Sequence, residues 1–402
     1  MTARGEGDRD RSDEQVDAAG RGPIVVLGAA GAVGLALAQD LVSTGGLRLR
    51  LVDIDVTTLR GLAGDDVEVI EADVLQPGRA AEVLDGASLL VNCLSFVLFD
   101  QVFAMAIDAG IDYTDLISEP SEQQAAQAAA RGITAVPGLG LSPGLSNILV
   151  GHAARSMRVE EVEILFALFR TMAASRGALD TMLWEGAEYS PGRTYYLDGK
   201  HVPAGPFDGA RVVDFGGAFG QLEVYYRPHP EPTSLPRNFP SIRFAAVRGT
   251  WQPEVMNDLR VLNKYGLLSK ENLPLTAEII WERLGGIESP LYHGQSAGMT
   301  EVRGTTADGE RIVRTYRTAR SEDLHAYALT GRCAAVGVRL MAAHGRVRTG
   351  VVDPEAYFDP DEFLAALREQ GLFDVSWTDE PWVADRKRPL GADPAPLGPK
   401  GQ

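Results

Sequence analysis

Between Pro23 and about Asn147, short apolar runs alternate with segments whose apolar positions recur at helical spacing. The runs "IVVLG" (24–28), "LRLRLVD" (47–53), "VEVIEADV" (67–74), "SLLVNCLS" (88–95) and "GITAVPG" (132–138) are rich in Val, Ile and Leu and predict strands. Between them "VGLALAQDLVST", "AAEVLDG", "FDQVFAMAIDAG" and "SEQQAAQAAARG" predict helices, several closed by a glycine placed as a C-cap. Strands alternating with helices at this spacing need right-handed crossovers. That implies an α/β fold with a parallel, doubly wound sheet.

After residue 150 the rhythm changes. "VEEVEILFALF", "GQLEVYYR" and "SIRFAAVRG" read as strands separated by long loops rich in Gly and Pro, and "MTEVRGTTADGERIVRTYRT" reads as a hairpin turning at Asp308-Gly309. These predict a second, α+β domain with a mixed sheet. Helices follow near 321–344 and 360–370, the second opened by Asp359 as N-cap with Pro360 at the first helical position. No internal repeat is visible. The polar opening "MTARGEGDRDRSDEQVDAAGRG" has no apolar core and does not read as a secretory signal. It and the Pro-rich end "ADRKRPLGADPAPLGPKGQ" read as disordered tails.

Charge narrows the partners. The 402 residues carry 38 Lys and Arg against 55 Asp and Glu, a net charge of −17, which repels the phosphates of nucleic acid and of anionic lipid. The longest apolar stretch, "IVVLGAAGAVGLALA", is too short for a membrane span. Cys93 and Cys333 form neither a disulfide framework nor a metal-type spacing, so a cytoplasmic protein is expected. The six histidines are scattered with no pair at ligand spacing, and no metal site is expected.

The turn after the first predicted strand carries candidate chemistry. In "IVVLGAAGAVG", Gly28 permits a tight turn, Gly31 lets backbone approach a pyrophosphate, and Gly34 lets the helix pack closely on the sheet. The spacing is G-x-x-G-x-x-G, with Ala30 in the place of the usual second glycine and Ala32 and Val33 continuing the turn. Asp53 ends the second strand about 20 residues further on, where a carboxylate bonds the ribose 2′-hydroxyl of NAD and repels the extra phosphate of NADP. NAD is therefore expected ahead of NADP. Ile54 follows Asp53, and a register slip would give the role to Asp55 instead. Asp73 and Val74 close the third strand beside the adenine pocket, while Cys93, Leu94 and Ser95 close the fourth beside ribose and nicotinamide. Nothing in the sequence lowers the pKa of Cys93, which reads as a packing residue.

"GLSPG" (140–144) matches the G-x-S-x-G elbow of serine hydrolases. An elbow needs the backbone N–H of the residue after the serine for its oxyanion hole, and Pro143 has none. Ser142 is read instead as the N-cap of a helix with Pro143 at its first position. That helix start would present free N–H groups beside the cofactor, near Gly144 and Asn147, as a seat for a carboxylate or an amide.

Three stretches, "GAAGAVGLALAQDLV", "LLVNCLSFVLFDQVFAMAIDAGIDYTDL" and "PGLGLSPGLSNIL", resemble the amino-terminal half of the saccharopine dehydrogenase family, in the branch holding saccharopine reductase, lysine 6-dehydrogenase and carboxynorspermidine synthase. "YRPHPEPTSLPR" (226–237) is similar to that family's His/Glu…Thr-Leu-Pro stretch, and "GVVDPEAYFDPDEFLAALREQGLFDV" to its closing segment. The likeness covers about residues 23–375, departing at "RTMAASRGALDTMLW" (170–184), where a glycine-rich loop is expected. It implies a Rossmann domain at 23–147, a substrate domain at 148–320 and carboxy-terminal helices at 321–380 returning to the first domain, with tails at 1–22 and 381–402. It also implies NAD(P)-dependent chemistry on the C–N bond of an amino acid.

For such chemistry a neutral amine must be oriented and its protons moved. Asp115, in "IDYTDL" at a strand end, is the first candidate, with Tyr113 and Glu119 behind it. Arginine offers a fork for the substrate's carboxylate, and the candidates are Arg237 and, in the divergent loop, Arg170 or Arg176. His229 and Glu231 share a proline-bounded loop with Arg237 and can complete an acid–base pair; Glu355 reads as part of a structural turn. The expected partner is a small amine or amino acid, and a homodimer is the habit of such folds. A reductive enzyme condensing an aldehyde with an amine, and a dinucleotide sensor without catalysis, stay open beside the dehydrogenase reading.

Overall fold

The computed structural model describes residues 22–169, 175–190, 192–217, 219–285, 295–318, 326–346, 348–371 and 375–383. The tails expected at the two ends, and Arg170, lie outside the described residues apart from Gly22 and the short stretch 381–383.

The first layer runs β1 (Ile24–Leu27), α1 (Ala32–Thr44), β2 (Leu49–Asp53), β3 (Val67–Glu71), α2 (Arg79–Leu84) and β4 (Leu89–Asn92). It continues with α3 (Phe99–Ala109), β5 (Asp112–Asp115), α4 (Glu122–Arg131), β6 (Thr134–Val136) and α5 (Leu145–Ala154). The second unit holds β7 (Met157–Phe169), α6 (Arg176–Gly186), β8 (Thr194–Leu197), β9 (Lys200–Pro203), β10 (Arg211–Asp214) and β11 (Gln221–Tyr226). After it come α7 (Glu231–Asn238), β12 (Phe244–Trp251), α8 (Pro253–Lys264), α9 (Leu273–Leu284), β13 (Gln295–Thr306) and β14 (Arg311–Thr318). The chain closes with α10 (Ala326–His344), β15 (Gly350–Val351), α11 (Pro354–Tyr357), α12 (Pro360–Glu369) and β16 (Ser376–Pro381).

The first sheet has seven parallel strands in the order β15-β6-β5-β4-β1-β2-β3. Because successive strand residues point to opposite faces, Val26 enters one core with Leu37 of α1, and Val25 and Leu27 enter another with Phe103 and Tyr113. The α/β doubly wound sheet read from the sequence is present, and Asp115 is the last residue of β5.

The second sheet is mixed, in the order β10-β11-β12-β7-β13-β14-β16, with β8 paired to β12 and β9 paired to β8. Strands β7 and β12 pair in parallel; β13 and β14 form the antiparallel hairpin whose turn holds Gly309 at φ +84°. The carboxy-terminal helices close the molecule. Arg332 and Arg339 of α10 both reach Asp40 on α1, at 3.1 and 2.5 Å, a carboxylate only 7% exposed. β15 then adds an edge to the first sheet, and Asp359 caps α12 by accepting the amides of Asp361 and Glu362. One core is continuous from Leu37 through Ile148 of α5 to Ile164 of β7 and Val336 of α10.

Two local expectations are corrected. The divergent stretch after residue 174 is no loop: Ser175 accepts from the amide of Ala178 and starts α6. The proline-bounded loop is likewise a helix from Glu231, because Pro232 stands in the first turn, where a missing N–H is harmless.

Candidate active site at the carboxyl edge of the first sheet

Gly28 leaves β1 at φ +73°, and a Cβ there would stand 2.9 Å from the backbone of Cys93. A Cβ on Gly34 would stand 2.1 Å from the carbonyl oxygen of Gly28. Only glycine fits either place, so the turn passes tightly between β1, β4 and α1. Helix α1 begins with no side-chain cap and no acidic residue in its first turn, leaving the amides around Ala32 and Val33 and the positive dipole end for an anion. Asp53 braces this turn. Its Oδ2 accepts from the amide of Ala30 at 2.9 Å and its Oδ1 from that of Ile54 at 2.8 Å. Ile54 is 72% exposed and Val74 is buried, while Asp73 accepts from the amide of Leu75 at 3.0 Å. Ser95 buries its Oγ with no partner among the described residues. Burial, then the Asp115 charge, pushes the Cys93 thiol up to about 12, so it stays a protonated packing group. The glycines, the bare helix start and the placed carboxylate fit a dinucleotide.

Asp115 works within the chain. Its Oδ1 accepts from the amides of Ile117 at 3.0 Å, Ser118 at 2.9 Å and Gly138 at 3.1 Å, and its Oδ2 accepts the Ser118 hydroxyl. Burial raises its pKa while these bonds oppose the rise. That is the geometry of a clamp tying the end of β5 to the loop after β6, and not of a carboxylate facing substrate. Tyr113 is fully buried, receives Asn92 Nδ2 at 3.1 Å, and has its pKa pushed well up by burial. Arg237 is also spoken for: its guanidinium grips Asp353 at 2.6 Å, and Arg176 pairs with Asp180 at 3.1 Å and Glu278 at 2.7 Å.

The helix after β6 starts later than expected. Gly144, at φ +113° and pressed against Gly140, precedes α5, and Asn147 Oδ1 accepts the Gly144 amide at 3.0 Å. The Leu145 and Ser146 amides donate to the carbonyls of Gly140 and Leu141 at 2.9 and 3.1 Å. These amides are satisfied by the chain itself and offer no open seat for a carboxylate. Ser142 is not the cap; its Oγ donates to Glu231 Oε1 at 2.6 Å.

That bond leads to a buried pair. Glu231 is 0% exposed, accepts also from Ser146 Oγ at 3.0 Å, and lies 3.3 Å from Nδ1 of His229, itself 7% exposed. Burial acts against both charges, yet the attraction between them wins: the His229 pKa is raised and the Glu231 pKa lowered. The His229 ring packs at 5.5 Å from that of Phe166. From Ser146 the network passes to Asn147, whose Nδ2 donates to Ser234 at 3.1 Å and Glu355 at 2.9 Å. Burial, then Asp353, pushes the Glu355 carboxyl up to about 7. Glu355 is thus more than part of a turn.

The sequence reading missed Glu185 and Arg227, whose charges act on His229, and Arg193, whose charge acts on Arg227; all three are buried. Their only linear signal is the nearness of Arg227 to His229. A cavity of about 390 Å³ bordered by Ile24, Ser88, Asp112 and Tyr357 lies at the opposite, amino-terminal edge of the first sheet, away from where such sheets hold ligands. Among the described residues no cluster of three or more His, Cys, Asp or Glu is placed to hold a metal, and no helix is long and apolar enough to cross a membrane.

A parallel sheet with a glycine turn, a bare helix start and a carboxylate at the end of its second strand defines the dinucleotide-binding class of α/β proteins. Residues 24–136 match the family model described as the saccharopine dehydrogenase NADP binding domain. That part of the chain is thus similar to the coenzyme domain of the saccharopine dehydrogenase family, and the chain is an oxidoreductase. It is 25% identical over 347 residues to carboxyaminopropylagmatine dehydrogenase of Synechocystis sp., covering 76% of this chain and 84% of that protein. Its fold is similar to that of apo saccharopine dehydrogenase (L-Glu forming) from Saccharomyces cerevisiae, with TM-score 0.65 and 14% identity over 89% of this chain and 100% of that one.

Proposed function

We propose that the protein is an NAD-dependent dehydrogenase acting on the C–N bond of a lysine-like or opine-like amino acid. The observation that carries this reading is the His229–Glu231 pair, enclosed and tied through Ser142 and Ser146 to the segment following β6. The related carboxyaminopropylagmatine dehydrogenase supports an amine substrate.

In this reading the backbone of Gly28 to Val33 holds the diphosphate, Asp53 the adenosine ribose, Asp73 and Val74 flank the adenine, and Cys93 to Ser95 pass the nicotinamide. The bound dinucleotide supplies the hydride acceptor, or the donor in the reverse direction. The chain supplies the proton chemistry. In oxidation the substrate carbon loses hydride while its nitrogen gives a proton to the neutral form of His229, which is populated once pH rises past its raised pKa, forming C=N; water adds, the C–N bond breaks, and a carbonyl compound and an amine leave. In reduction His229, kept protonated by Glu231, returns that proton to nitrogen. Glu231 holds the imidazole, and the two serines hold Glu231. Asp115 and Tyr113 position the strand ends.

The family description names NADP, but Asp53, which this reading assigns to the ribose, and Asp55 two residues on are both unfavourable to a 2′-phosphate. NAD is the coenzyme we assign. The test follows the absorbance of reduced coenzyme with NAD or NADP and a panel of lysine, ornithine, saccharopine and other N-substituted lysines. Turnover with NAD and one of these amines is expected, and His229→Asn should lower kcat by about 10²- to 10⁴-fold. No reduced coenzyme with any amine between pH 6 and 10, or no heat on titrating either coenzyme, overturns the reading.

A further inference from the structure

The second unit buries an unbalanced set of charges. Arg193, Arg227, Glu185, His229 and Glu231 are between 0 and 7% exposed, and the Glu185 charge acts on both arginines and on His229. Within this buried set two arginines and His229 share two carboxylates, while the charges of Asp208 and Glu188 also act on Arg193. Burial brings both guanidinium pKa values down to about 10, still far above neutrality, so neither escapes by losing its proton.

Arg227 is fixed in place. Its guanidinium lies 4.2 Å over the Trp251 ring, Nε donates to the Gly249 carbonyl at 3.0 Å, and Nη2 reaches the Met256 sulfur at 3.4 Å. Arg193 Nη2 donates to the carbonyls of Glu185 at 2.7 Å and Ala187 at 2.8 Å. What remains is a set of buried atoms with no partner among the described residues: Nη1 of Arg227, Nε and Nη1 of Arg193, and Oε2 of Glu185. Held rigidly and left unpaired, charged groups of this kind destabilise a fold unless something completes them. Three donors and one carboxylate oxygen match the carboxylate and the ammonium of one α-amino acid head.

The set also stands near the reacting edge. Trp184, next to Glu185, packs on Phe96 with ring centroids 4.8 Å apart, and Gly177 of the same helix approaches the Cα of Ser95.

We propose that Arg193, Arg227 and Glu185 form the subsite that grips the zwitterionic α-amino acid head of the substrate. This rests on the reading above that the substrate is an amine. An ammonium held by Glu185 keeps its proton and has no lone pair, so it is not the nitrogen oxidised. The reacting nitrogen is a second one, carried along the substrate to His229. Specificity is then for a molecule with two nitrogen functions, one a charged handle and one neutral at the moment of reaction.

The test titrates the full chain, loaded with NAD, with lysine, ornithine and saccharopine, and with cadaverine and putrescine, the diamines left when lysine and ornithine lose their carboxylate. Tryptophan fluorescence reports binding, since Arg227 lies on Trp251, and reduced coenzyme is followed in parallel. At least one amino acid should bind on the order of a hundredfold more tightly than the diamines. Arg193→Lys, which keeps the charge and loses the fork, should weaken that amino acid about tenfold and leave the diamines unmoved. Glu185→Gln should weaken it also, with thermal melts confirming that both variants fold.

Diamines binding as tightly as amino acids, Arg193→Lys weakening both alike, or no fluorescence change with any probe would overturn the subsite and leave those atoms to water. Coenzyme reduced equally by diamines and amino acids would remove the subsite while the dehydrogenase stands. Tight amino-acid binding with no reduced coenzyme would keep the subsite and remove the dehydrogenase.

Discussion

Nδ1 of His229 lies 3.3 Å from Oε2 of Glu231, and the second oxygen of that carboxylate is held by the hydroxyls of Ser142 at 2.6 Å and Ser146 at 3.0 Å. The histidine is thereby tied to the segment that follows β6, and so to the carboxyl edge of the first sheet.

The pair sets a window of stability in pH. Glu231 has a lowered pKa, so its contribution is present above the ordinary glutamate value and is lost as pH falls through the lowered one. His229 has a raised pKa, so its contribution is complete below the ordinary histidine value and is lost as pH rises through the raised one. The advantage of the wild type over His229→Asn in thermal melts should be greatest between about pH 4.5 and 6.5. Glu231→Gln should cost about 3–5 kcal/mol, because it strands a buried imidazolium.

Asp115→Asn separates clamp from catalyst. Three backbone amides and a hydroxyl converge on this carboxylate, and an amide in its place presents N–H to some of those donors. The expected loss is about 1–3 kcal/mol of stability, with kcat in the surviving fraction near that of the wild type. Denaturant melts beside kinetics check it, and a kcat reduced a hundredfold at unchanged stability would return Asp115 to the chemistry.

Glu355 should show the opposite pH signature to Glu231. An acid whose folded pKa is raised holds a proton that the unfolded chain has released, so stability falls as pH rises from the ordinary glutamate value to about 7. Glu355→Gln stays neutral throughout. Its melting temperature relative to wild type should climb between pH 5 and pH 8, and a constant difference across that range would deny the shift.

Gly34→Ala tests the closeness of α1 to the glycine turn. The new methyl would stand 2.1 Å from the Gly28 carbonyl oxygen, so helix and turn must part. A loss of about 1–3 kcal/mol is expected, together with weaker coenzyme binding by calorimetry, since the amides proposed to meet the diphosphate sit on the displaced segment.

What could be read from the chain alone is what neighbours in sequence decide. Gly28 and Gly34 act through the turn that contains them, Asp53 ends the strand that its own residues predict, and Asp359 with Pro360 starts a helix by local bonding. The substrate side is different. Ser142 resembled a helix cap because a cap is a local device, but its partner Glu231 is 89 residues away, and Asn147 meets Glu355 across 208. Asp115 and Arg237 look like free functional groups until the fold supplies Gly138 and Asp353 to occupy them. Conversely, Arg193 and Arg227 look ordinary until burial removes water and leaves Nε and Nη1 of the first and Nη1 of the second without partners among the described residues. Backbone geometry is written residue by residue, whereas the chemistry of a charged side chain depends on solvent and on counter-charges, and only the folded chain decides which of those remain.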